Sequence, residues 1–167
     1  MASVAPQVTP EHWRWREAPV RPGPAVVFDM DGVLSDASSR QHYLEHPYRD
    51  WDAFFAACGE DPLIDEVARL LDVIDDDLRI VLLTARPLRV RPQTIGWLER
   101  YDLRWDLLIM RDHGDYTASR SFKREAVHDL RAYGFDLRLA FEDDRRNVEM
   151  FHAEGVPCVY IHSGYYD

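Results

Sequence analysis

Short apolar runs alternate along the chain with stretches in which apolar residues return every three or four positions. AVVF at 25–28, RIVLLTA at 79–85, LLIM at 107–110, LRLAF at 137–141 and PCVYIH at 157–162 are too short for helices and rich in branched residues, so each predicts a strand. Their continuity, without polar alternation, predicts cover on both faces. Leu63, Ile64, Val67, Leu70, Leu71 and Ile74 mark one side of a helix, with Asp61 and Pro62 expected as its N-cap and first turn. Phe122, Ala126, Val127, Leu130 and Tyr133 repeat the pattern before Gly134. A last helix follows Asp144, carries Val148 and Phe151, and stops at Gly155 ahead of Pro157. Strands alternating with helices imply parallel pairing through right-handed crossovers. The expected architecture is a three-layer, doubly wound α/β domain of the Rossmann-like kind on a five-stranded parallel sheet.

Two segments break this rhythm. Residues 1–24 carry five prolines and end in RPGP, which reads as an irregular N-terminal arm, pinned in part by Trp13 and Trp15, ahead of a single domain at 25–167. Residues 37–60 are polar and aromatic, and longer than an ordinary strand-to-helix loop. They predict a small cap-like insertion with a short helix at 50–57, placed over the carboxyl ends of the strands, where open α/β sheets bind ligands.

Composition adds three constraints. With 167 residues, of which 46% are hydrophobic, the chain can build a sizeable core, which excludes wholesale disorder or coiled coil. No membrane-length apolar run and no signal-peptide core are present, so a soluble, cytoplasmic protein is expected, its Cys58 and Cys158 reduced. The net charge of −10 opposes non-specific attachment to a nucleic-acid backbone but leaves room for a local basic pocket. Nineteen of the twenty basic residues are Arg; the single Lys is Lys123.

The candidate chemistry lies at strand ends. The first strand runs into FDMDGVLSD, whose Asp29 and Asp31 can point two carboxylates to one side, and the fourth ends in Glu142-Asp143-Asp144. Converging carboxylates repel unless a cation neutralises them, and hard oxygen donors suit Mg²⁺. Asp144 also reads as the N-cap of the last helix. Thr84 and Arg86 close the second strand in LLTAR. Lys123 is placed in the first turn of a helix, where a cation opposes the dipole and points to an anionic partner. The seven His show no ligand spacing; His42, His46 and His113 read as surface or core residues.

In this order, FDMDGVLSD, LLTAR, Lys123 and EDD resemble the four motifs of the haloacid dehalogenase (HAD) superfamily of phosphohydrolases. That resemblance implies Asp29 as nucleophile, Asp31 as general acid and base with a raised pKa, Thr84 on the phosphoryl group and Lys123 steadying both. It also implies Mg²⁺ held by Asp29, Asp31, Asp143 and Asp144. From residue 25 onward the chain looks like the 3′-phosphatase domain of bacteriophage polynucleotide kinases. Arg40, eleven positions after Asp29, Arg86, and Arg111 with Gly114 and Asp115 match its pattern, implying a substrate pocket built from Arg40, Arg86 and Arg111. A phosphorylated DNA or RNA end is then the expected substrate, with a nucleotide or other small phosphomonoester as the alternative. No G-x-x-x-x-G-K-[ST] occurs, so a stand-alone phosphatase is expected. Receiver domains also combine acidic residues, Thr and Lys on a doubly wound sheet, but they put the acidic pair on the first strand and the acceptor on the third.

Overall fold

The computed structural model describes residues 8–45, 47–112 and 118–166; Gly114, Asp115, His46 and His113 lie outside them. Six strands, β1 (Trp13–Trp15), β2 (Pro24–Phe28), β3 (Arg79–Pro87), β4 (Leu107–Arg111), β5 (Asp136–Glu142) and β6 (Cys158–Tyr160), form one sheet in the order β1-β4-β3-β2-β5-β6. Every pairing is parallel except that of β1, which runs antiparallel to β4 at the edge. The expected five-stranded parallel sheet is thus one strand short. Trp13 and Trp15 flank Arg14 in a three-residue edge strand, too brief for an alternation pattern to register. Trp15 packs with Tyr133 at 5.6 Å and Phe135 at 6.4 Å, which ties the arm to the domain.

Side chains leave the sheet alternately, as strand geometry requires. Val26, Phe28, Ile80, Leu82, Leu108 and Met110 enter one core cluster. It is covered by α1 (Trp51–Ala56), α2 (Asp65–Val73) and α3 (Arg91–Arg100). Ala25, Val27, Val81, Leu83, Leu107 and Ile109 enter the other, under α4 (Ser119–Tyr133) and α5 (Arg145–Ala153). The three layers and doubly wound order are as expected. Helix α3 has no counterpart in the sequence reading, because its buried Thr94, Trp97 and Leu98 give only a narrow apolar stripe.

Two helix starts differ from expectation. Helix α2 begins at Asp65 with Ile64 at its N-cap, so Asp61 is not a cap; it is buried beneath the sheet edge. Helix α4 begins at Ser119, so Lys123 lies one turn further in than expected, and it is buried. Asp144 does cap α5, accepting from the Arg146 N–H at 3.0 Å. Residues 37–60 fold as a 3₁₀ turn at Ser38–Leu44, then α1 capped by Asp50, then a second turn at Cys58–Glu60. Phe54, Phe55 and Cys58 bury into the main core, so the segment is anchored rather than free-standing.

Candidate active site

The carboxyl ends of β3, β2 and β5 lie side by side and deliver Thr84, Asp29 and the Glu142-Asp143-Asp144 run to one edge. Above them opens a cleft of ≈ 1210 Å³, lined by Asp29, Asp31, Thr84, Arg86, Arg111, Lys123 and Asp144 and walled on one side by Trp51 and Phe54 of the insertion. Of the proposed site residues, Arg40 and Asp143 do not line it.

Beyond β2 the chain turns sharply. The Met30 carbonyl accepts from the N–H groups of Val33, Leu34 and Ser35 at 2.9–3.1 Å. Gly32 supplies the positive φ of 82° this turn needs, and a Cβ there would lie 2.1 Å from Asp143 Oδ2. Glycine is therefore required twice over, for backbone conformation and for the close approach of β2's loop to β5's acidic end.

Lys123 ties the site together from the facing helix. Its Nζ donates to Asp29 Oδ1 at 3.0 Å and to Glu142 Oε2 at 2.7 Å. Burial alone would strip its proton, but Asp29 and then Glu142 outweigh burial and hold the ammonium charged above the usual lysine range. Glu142 Oε1 accepts from the N–H of Asp143 at 3.2 Å and of Asp144 at 3.4 Å. Glu142 is thereby consumed in positioning, a role the sequence left open. Asp143 is the opposite case. Both its oxygens are buried without a hydrogen bond among the described residues, and Asp29, Glu142 and Asp143 bring carboxylate oxygens within 4.8 Å of one another.

Uncompensated charge of this kind is costly. Burial, and then the charge of Asp29, push Asp143 up to about 10 and Glu142 up to about 8. A divalent cation would reverse both shifts by supplying the missing positive charge, and an all-carboxylate donor set fits a hard ion. Of the four expected ligands, Asp29 and Asp143 belong to this cluster. Asp31 and Asp144 face arginines instead, Asp144 meeting Arg146 Nη2 at 2.9 Å.

Asp31 is gripped from below. Its Oδ1 accepts from Arg40 Nη2 at 2.7 Å and from Arg86 Nη2 and Nε at 2.6 and 3.1 Å, while Oδ2 takes no hydrogen bond from the described residues. Burial would raise the Asp31 carboxyl, but Arg86 and Arg40 outweigh it and hold it below the ordinary carboxylate range. The raised pKa expected from the sequence is overturned, because two guanidiniums favour the charged form.

The same contacts redefine the arginines. Arg40 and Arg86 are almost wholly buried, at 2% and 0% exposed. Arg40 also donates to Asp61 through Nε at 2.8 Å and Nη2 at 2.6 Å, and to the Phe54 carbonyl at 2.9 Å. Arg86 reaches Thr94 Oγ1 and Ser35 Oγ, both at 3.1 Å. The β3–β4 register jumps from Thr84–Met110 to Pro87–Arg111, an irregularity of the kind that re-aims a side chain, and Arg86 falls within it. Thr84 Oγ1 accepts from the Arg86 N–H at 3.2 Å. Arg111, the last residue of β4, does line the cleft.

Asp61 is the residue sequence reasoning missed. It accepts from Arg40 and from Ser35 Oγ, the latter at 2.6 Å. Its carbonyl also accepts from Trp97 Nε1 at 2.8 Å. Asp-Pro at a helix entrance gave a local explanation, and nothing local signals a partner 21 positions away. Replacing Asp61 by Asn leaves two buried guanidiniums short of charge, so unfolding free energy should fall by about 3 kcal/mol. Urea denaturation of the two proteins measures this.

The family profile of the Polynucleotide kinase PNKP phosphatase domain matches residues 23–166, nearly the whole chain. The chain belongs to this family. This PNKP-type phosphatase domain is also similar in structure to a chain of the Pnkp1/Rnl/Hen1 RNA repair complex, at TM-score 0.70 and 25% identity. That match covers 89% of this chain and 45% of the other, so the domain spans less than half of that relative. The Class C acid phosphatase from Bacillus anthracis shares the fold at TM-score 0.60 and 18% identity, covering 88% of this chain and 69% of that one. So does the HAD domain of effector protein Lem4 from Legionella pneumophila, at 0.52 and 16%, covering 89% and 91%. The fold is therefore that of HAD phosphatases, and the domain is a phosphatase. No helix among the described residues is long and apolar enough to cross a membrane.

Proposed function

We propose that this domain is a Mg²⁺-dependent phosphomonoesterase that removes 3′-phosphates from nucleic-acid ends through a phospho-Asp29 intermediate. The observation that carries the metal and nucleophile roles is the buried, unpartnered Asp143 carboxylate beside an Asp29 already held by Lys123. Membership of a polynucleotide kinase phosphatase family, and similarity to a chain of an RNA repair complex, favour the nucleic-acid end as substrate.

Mg²⁺ held by Asp29 and Asp143 would offset the charge of the phosphate as a carboxylate approaches it. An Asp29 oxygen attacks phosphorus; the Asp–O–P bond forms as the bond from phosphorus to the 3′-oxygen breaks. Because its arginines hold Asp31 ionised at rest, Asp31 acts as a relay: its open oxygen, Oδ2, takes the proton that a phosphate monoanion brings and hands it to that departing oxygen. Fixing Oδ1 with three guanidinium N–H bonds orients the carboxyl and favours proton release. Asp31 then takes a proton from the water that attacks phosphorus, freeing inorganic phosphate and restoring Asp29. Lys123 keeps Asp29 Oδ1 in place throughout and presents positive charge to the phosphoryl group.

Purified protein with Mg²⁺ should release phosphate from a 3′-phosphorylated oligonucleotide faster than from mononucleotides or sugar phosphates, and EDTA should stop it. A wide preference for mononucleotides would instead select the small-phosphomonoester reading. Gly32→Ala should raise the Mg²⁺ concentration for half-maximal activity by about ten- to a hundred-fold, since its Cβ displaces Asp143. A Mg²⁺ titration of turnover reads this directly.

A further inference from the structure

The two rims of the cleft differ. One carries Glu45 and Asp52 beside Arg49 and Arg89, and Arg89 is already paired with Asp52 at 2.9 Å. The other is built from the start of α5 and the C-terminal segment. There Arg145 lies over the Tyr160 ring at 5.2 Å and Arg146 over the Tyr166 ring at 5.8 Å. Asp144, the carboxylate that lines this rim among the described residues, is neutralised by Arg146. Arg145 is exposed and makes no ion pair or hydrogen bond among the described residues, although the chain has ten more acidic than basic residues. Tyr166 leaves 54% of its surface in water at the mouth of the cleft. An exposed guanidinium with no ion partner among the described residues and a half-exposed tyrosine, both lining the same cleft, match what a single-stranded polynucleotide offers, a phosphate and a base at each step. A small sugar phosphate uses neither.

We propose that the Arg145–Tyr166 rim is a subsite for the nucleotides preceding the terminal phosphate of a single-stranded polynucleotide. A base stacks on Tyr166, and an internucleotide phosphate pairs with Arg145. The strand leaves the catalytic carboxylates over α5 rather than over the insertion. This rests on the nucleic-acid reading above and adds the direction of the strand and the residues that select length.

The test compares kcat/KM for a 3′-phosphorylated single-stranded decamer with kcat/KM for a 3′-mononucleotide, across a series of salt concentrations. Arg145→Ala and Tyr166→Ala should each lower the decamer-to-mononucleotide ratio by at least about five-fold. Arg145→Ala should also flatten the log–log salt dependence for the decamer by about 0.7, the loss of one phosphate contact to a single strand. Trp51→Ala and Arg49→Ala, on the opposite rim, should change the ratio by less than two-fold. Both exchanged rim residues are exposed, and circular dichroism confirms that each variant folds. If the wild-type ratio exceeds ten but neither α5-side variant lowers it, or the Trp51 and Arg49 variants lower it instead, the subsite is overturned while the nucleic-acid reading stands. A wild-type ratio at or below one overturns both.

Discussion

Asp29→Asn should abolish turnover, by at least about 10⁴-fold, on every phosphomonoester the protein accepts, with the fold retained. An amide cannot form the acyl phosphate, and no other carboxylate at the strand ends is free to take over among the described residues, Asp144 being paired with Arg146. Asp143 is recessed from the cleft, Asp31 is clamped to two arginines, and Glu142 is bonded to Lys123 and two backbone N–H groups. The substitution also has a signature apart from activity. It removes one of three crowded carboxylates but leaves Lys123 its bond to Glu142, so the charge conflict that pushes up Asp143 is relieved. In EDTA, Asp29→Asn should therefore unfold at a temperature no lower than the wild type. Steady-state phosphate release and calorimetry check the two halves. Full turnover in the variant would remove Asp29 as nucleophile.

Lys123→Arg should fold yet lose about 100-fold or more in kcat. The sole lysine lies in a chain that otherwise uses arginine for every basic position, and its surroundings explain why this one differs. The Nζ lies between Asp29 Oδ1 and Glu142 Oε2 in a 2% exposed site, a geometry suited to a compact ammonium with rotatable donors. A planar fork is larger and directs its N–H groups differently, so it would displace Asp29 or be pushed toward the cleft. Lys123→Met provides the contrast. It leaves Asp29 and Glu142 without a cation and should destabilise the protein as well as inactivate it, by about 3–5 kcal/mol for the broken buried pair. Urea denaturation and kcat separate the two variants; near-wild-type kcat in Lys123→Arg would refute the positional argument.

The arginine network changes how substrate recognition is understood in this domain. Arg40 and Arg86 match the spacing expected of substrate-pocket residues, and four of the five N–H donors of each are engaged by Asp31, Asp61, Ser35, Thr94 and the Phe54 carbonyl. Those bonds hold the Asp31 carboxylate in place at the cleft. Asp61 anchors the network from beneath, and Phe54 connects it to the insertion, since Arg40 also stacks 4.4 Å above the Phe54 ring. The insertion is thereby part of the platform on which Asp31 is held, in addition to forming a wall of the cleft.

The sequence by itself determined the five parallel strands, the helices α1, α2, α4 and α5, and the strand ends at which Asp29, Thr84 and Asp143 emerge. These follow from periodicity and from local punctuation, which act over a few residues and need no knowledge of what packs where. Asp144 as a cap belongs to the same class, because its partner is two residues away. Tertiary structure alone decided the partnerships of the buried charges. Lys123 meets Asp29 across 94 positions, Arg86 meets Asp31 across 55, and Arg40 meets Asp61 across 21. Those pairings fix which acidic residues remain for a cation and which way the Asp31 carboxyl is shifted. A carboxylate's charge state depends on the desolvation and counter-charges around it, and both come from segments that are distant in sequence. The edge strand at Trp13–Trp15 was decided in the same way. Three residues carry no pattern of their own, and β4 with the Tyr133 and Phe135 rings supplies the surface that orders them.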